Sequence, residues 1–160
     1  MITLKNLNVK AVVIGTAVDI LGTLIASLVI GVVWGLADAA SKGGGTPPNP
    51  EEMAKLFQTS FSFLLASLVL GLVFVMVGGF VAAHLARRAE LPNALAMGFL
   101  SLILAGVMVV ISPDAGPAWY AATGIILTVP AALLGGYLRL QTRSQEGFRP
   151  RTSDRSDFDL

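Results

Sequence analysis

Apolar residues fall along this chain in four long blocks, separated by short polar or glycine- and proline-rich breaks. The blocks cover about 11–37, 61–86, 94–111 and 119–138. Each approaches or exceeds the roughly 20 residues that a helix needs to cross the hydrocarbon core of a bilayer. Hydrocarbon offers no partner to a backbone N–H or C=O, so runs of this length predict continuous helices. None alternates apolar and polar positions as the strands of a membrane barrel do. The pattern predicts an all-α integral membrane protein: a four-transmembrane-helix bundle over residues 1–140, with a long first external loop and a polar tail over 141–160.

Composition agrees and narrows the class. Of 160 residues, 54% are hydrophobic and 13% charged, about half the charge of an ordinary soluble domain. Cysteine is absent, which removes disulfide scaffolds, zinc ribbons, iron–sulfur clusters and thiol catalysis. A net charge of +1 gives no ground for a nucleic-acid partner.

The basic residues predict an orientation. Lys5 and Lys10 precede the first block, Arg87 and Arg88 separate the second from the third, and Arg139, Arg143, Arg149, Arg151 and Arg155 follow the fourth. Only Lys42 and Lys55 fall on the other side. The excess of lysine and arginine on one side marks the cytoplasm, so both termini are expected there, in a bacterial-type inner membrane. The first block is too long for a signal-peptide core and is expected to remain as a span.

The first connection carries Gly43-Gly44-Gly45-Thr46-Pro47-Pro48, then Asn49-Pro50-Glu51-Glu52. Asn49 reads as a helix cap, with Pro50 in the first turn and two acids against the positive end of the helix dipole. A straight helix from Pro50 to Arg87 would run roughly 57 Å, so a bend is expected near 58–60. Trp34, Trp119 and Tyr120 are expected at the external headgroup level. Arg87, Arg88 and Arg139 are expected to meet anionic lipid headgroups on the other face.

Membrane helices associate through close packing at small residues. Gly31 and Gly35 form a GxxxG in the first span, Gly78 and Gly79 lie in the second, and Gly135 and Gly136 in the fourth. These stripes either pack the monomer or dock a neighbouring subunit.

Asp19 stands apart. It lies about 13 Å beyond Lys10 by helix rise, near the middle of the first span, where an acid costs about 2.5–3.5 kcal/mol to insert. An intramembrane acid is a functional-site hypothesis by default. A carboxyl taken out of water favours its neutral, hydrogen-bond-donating form. Residues of matching depth are Ser101 in the third span, Gly78 and Gly79 in the second, and Thr128 and Pro130 in the fourth. Pro130 leaves the Ile126 carbonyl without its helical donor. Asp19 therefore has three possible partners in that layer: this carbonyl, Ser101 or Thr128.

The run Asp19-Ile20-Leu21-Gly22-Thr23 resembles the first helix of the small multidrug-resistance transporters, a four-helix family in which such an acid carries the proton and the cationic drug. The resemblance covers about ten residues and implies a proton-and-substrate role for Asp19 in a homodimer. This chain differs in its long first connection and polar tail, and its tryptophans fall at the external interface. More broadly, the chain resembles uncharacterised four-span bacterial membrane proteins.

His84 is the only histidine and lies near the cytoplasmic end of the second span. One histidine gives a single axial ligand at most, so a pigment or haem is a minor reading and no cofactor or metal is expected. No nucleophile–base pair or phosphate loop occurs, and an enzyme is not expected. The leading expectation is a non-catalytic structural or accessory subunit that packs against lipid and against other membrane proteins or itself. The alternative is a small proton-coupled transporter or ion pathway, a homodimer built around Asp19.

Overall fold

The computed structural model describes residues 7–41, 43, 49–86, 89–112 and 116–146. Among them the chain is all-helical: α1 (Val9–Ser41), α2 (Pro50–Thr59), α3 (Phe61–Ala86), α4 (Glu90–Ile111) and α5 (Ala118–Glu146). Four of these, α1, α3, α4 and α5, are long and apolar enough to cross a membrane.

Local chemistry sets the helix ends. Asn8 caps α1, its Oδ1 accepting from the Ala11 N–H at 3.3 Å. The chain leaves α1 through Gly43, whose φ of 85° suits glycine and whose N–H donates to the Ala40 carbonyl. Asn49 and Glu52 close a reciprocal capping box on α2. The Glu52 N–H donates to Asn49 Oδ1 at 2.9 Å, and the Asn49 N–H donates to Glu52 Oε2 at 3.2 Å. The helix is interrupted at Ser60, within the 58–60 stretch where a bend is expected, and this residue separates α2 from α3. Its hydroxyl accepts from the Phe63 N–H at 3.4 Å and starts a new helix there.

Two helices run further than the apolar blocks. α4 begins at Glu90, four residues before the block at 94, and α5 continues to Glu146, past the expected boundary at 140. Both extensions carry polar groups that satisfy one another, as described below. Pro130 lies inside α5 without ending it, which neighbouring groups in a membrane bundle tolerate.

α3 is the central helix and packs against α1, α4 and α5. Two consecutive glycines let it do so at short range. A methyl group on Gly78 would strike the Gly15 carbonyl of α1 at 2.6 Å, while one on Gly79 would overlap the Ala132 backbone of α5. From the α5 side, a methyl on Gly135 would overlap the Met76 carbonyl of α3, and one on Gly136 would lie 2.6 Å from Ala94 of α4. Backbones approach where side chains are missing, as lipid-embedded helices require. These four glycines pack the chain against itself. Gly31 and Gly35 are buried on α1 as well.

Candidate functional site

The polar groups inside the bundle converge on one face of α4. Asn93, Met97 and Ser101 recur every fourth residue and share a stripe; all three are buried. Asp19 is buried on α1, 6% exposed, and accepts a 2.7 Å hydrogen bond from Ser101 Oγ. Thr23 lies one turn further along α1 from Asp19. A methyl group on Gly78 would come within 3.1 Å of the Asp19 Cβ, so α3 closes the third side. Asp19 thus sits where α1, α3 and α4 meet.

Thr128 and Pro130 do not join this group. The Thr128 hydroxyl donates to the Gly124 carbonyl of its own helix at 2.7 Å, and Pro130 is exposed. The reason is rotational. α5 leans on a different face of α3 from α1, so equal depth does not bring its polar side chains to Asp19.

A second polar tier lies at the start of α4, and none of its members follows from the apolar pattern. Asn93 is fully buried; its Oδ1 accepts from the Asn8 N–H at 2.8 Å and its Nδ2 donates to the Ala89 carbonyl at 2.6 Å. The start of α1 is thereby tied to α4. Glu90, 5% exposed, accepts a 2.8 Å charge-assisted bond from Arg143, which ties the end of α5 to the same turn. The available signal was the run Glu90-Leu91-Pro92-Asn93 directly before an apolar block. Polar residues at the mouth of a bundle can turn inward as readily as outward.

The remaining positions sort by exposure. His84 is exposed and stacks on Phe80, with ring centroids 6.4 Å apart. Arg139 is half-buried and its guanidinium donates to the Thr142 hydroxyl at 3.3 Å. Trp34 meets buried Phe63 edge-on at 5.8 Å, and Trp119 lies 5.5 Å from Phe61 and 6.1 Å from Tyr120. The tryptophans thus sit at the same end of the bundle, with phenylalanines of α3 between them. Arg87 and Arg88 lie outside the described residues.

Chemically, the arrangement offers one buried carboxyl paired with one serine hydroxyl. Among the described residues no three carboxylate or imidazole groups gather around a common point. Compared with protein-family models, curated proteins and solved structures, the chain matches none.

Proposed function

We propose that this chain is a non-catalytic, multi-pass protein of a bacterial-type inner membrane, acting as a structural or accessory subunit of a larger membrane assembly. The observation that carries this reading is the bond from Ser101 to Asp19. The one acid deep in the spans is engaged in holding α1 to α4 inside a single chain, as interhelical polar bonds in membranes do. A carrier carboxyl shared between two subunits would face outward. The positive-inside asymmetry supports cytoplasmic termini, with Lys10 and Arg143 at one end of the bundle and Lys55 at the other. Trp34, Trp119 and Tyr120 at that other end fit the aromatic belt of the opposite interface.

A second reading keeps a specific observation. The acid–xxGT run noted above lies within α1, with Thr23 one helical turn from Asp19, which favours a proton-coupled transporter. Asp19→Asn separates the two. A subunit still assembles with its partner after this change, because asparagine accepts from Ser101; a transporter loses coupled uptake in proteoliposomes.

A further inference from the structure

Pro130 stands on the outward side of α5. Ile126, Pro130, Leu134 and Tyr137 share one helix face, and all four are exposed, Ile126 at 69%. The other side of α5 is taken up by Gly135 against α3 and Gly136 against α4. Proline has no N–H, so Pro130 inside the helix leaves the Ile126 carbonyl without its donor one turn later. The nearby threonines do not replace it. Thr123 donates to the Trp119 carbonyl and Thr128 to the Gly124 carbonyl, each at 2.7 Å. By helix rise Ile126 lies roughly 20 Å from Arg139, well inside a hydrocarbon core about 30 Å thick. An acyl chain has no hydrogen bond to donate there. One outward face of α5 therefore carries an acceptor that neither these threonines nor lipid satisfies.

We propose that this face docks a transmembrane helix of the partner subunit, and that a hydroxyl or amide side chain of that helix donates to the Ile126 carbonyl. This rests on the accessory-subunit reading and names where the partner sits and what it must offer. The carbonyl oxygen carries partial negative charge, so its complement is a donor. Serine, threonine, asparagine and glutamine supply one within a membrane helix. A second copy of this chain, standing at the same depth, fits poorly. Among the described residues the exposed hydroxyl nearest that depth is Ser27 of α1, roughly 25 Å from Lys10. It lies about one turn nearer the α1–α2 connection than Ile126, whereas the carbonyl points the other way, towards the end of α5.

The test is photocrosslinking of the full chain in the membranes of the cells that make it. Benzoylphenylalanine replaces Leu134, one turn beyond Pro130, and the adduct is mapped by mass spectrometry. The adduct is expected to join position 134 to a different polypeptide, in an apolar segment with a serine, threonine, asparagine or glutamine within two turns of the linked residue. Pro130→Ala returns an N–H to the Ile126 carbonyl and should lower the yield about three- to tenfold. Ile126→Trp blocks the face and should abolish the adduct. Leu28→Trp, on the outward face of α1 at 69% exposure, should leave it unchanged. An adduct with this chain alone or lipid alone, a linked segment without such a side chain, or equal yields from the wild type and both α5 variants overturns the proposal. If a second polypeptide still copurifies with the wild type at fixed stoichiometry, the accessory-subunit reading survives that failure; if none does, both fall.

Discussion

Ser101 of α4 donates a 2.7 Å hydrogen bond to the Asp19 carboxyl of α1, at a point midway along α4. Hydrophobicity inserts helices into a bilayer but does not choose their neighbours. A polar bond in hydrocarbon does, because each partner left alone has little else to bind. The expected cost of Ser101→Ala is about 0.6–2 kcal/mol, and that of Asp19→Ala is similar because either change removes the same interhelical bond. Asp19→Asn is expected to stay within about 0.5 kcal/mol of the wild type, since it retains the acceptor. Thermal unfolding in detergent, followed by circular dichroism, ranks the three.

The glycines of the α3–α5 contact should be far less tolerant than those facing open space. Alanine at Gly79 or Gly135 meets a backbone carbonyl, which has no flexible end to move aside. Each is expected to cost about 1–3 kcal/mol. Alanine at Gly71 or Gly106, where nothing described lies within 4 Å, should be neutral or slightly stabilising by helix propensity. The same melting series checks this, and equal losses at all four positions would contradict the packing described.

The end of α5 is held by the pair between Arg143 and Glu90. Arg143 is 57% exposed at its side chain and Glu90 only 4%, so solvent screens the attraction but truncating the arginine leaves a buried carboxyl behind. Arg143→Ala is expected to cost on the order of 1 kcal/mol. It should accelerate amide exchange at residues 141–144 while leaving 125–138 unchanged. Added salt should reproduce part of the effect on the wild type. Protection that persists in Arg143→Ala would show that the last turns of α5 are held by something else.

Topology has its own test because the native chain offers no thiol. A single cysteine at Ser41 is expected to react with a membrane-impermeant maleimide in intact cells. One at Ser144 should react only after the membrane is permeabilised. The opposite pattern would reverse the orientation drawn from the basic residues.

The sequence reveals depth more readily than direction. Four apolar blocks show where helices run, and Asn49-Pro50-Glu51-Glu52 marks the start of α2 because capping chemistry is local. Residue counting also places Asp19, Ser101, Thr128 and Pro130 in one layer. It does not give the rotation of each helix, which depends on how Gly78 and Gly79 seat α3 between its neighbours. That rotation brings Ser101 to Asp19 and turns Pro130 outward. Glu90, Asn93 and Asn8 were missed for a related reason. At a bundle's mouth, water and protein are both available to a polar side chain, and only the fold decides between them.

We propose that Asp19 holds α1 to α4 within one subunit of a larger assembly rather than carrying protons. The most direct test is the mass of the complex extracted in mild detergent, measured for the wild type and for Asp19→Asn. A second polypeptide at fixed stoichiometry is expected in both. A homodimer of this chain alone, whose proton-coupled uptake disappears with Asp19→Asn, would contradict it.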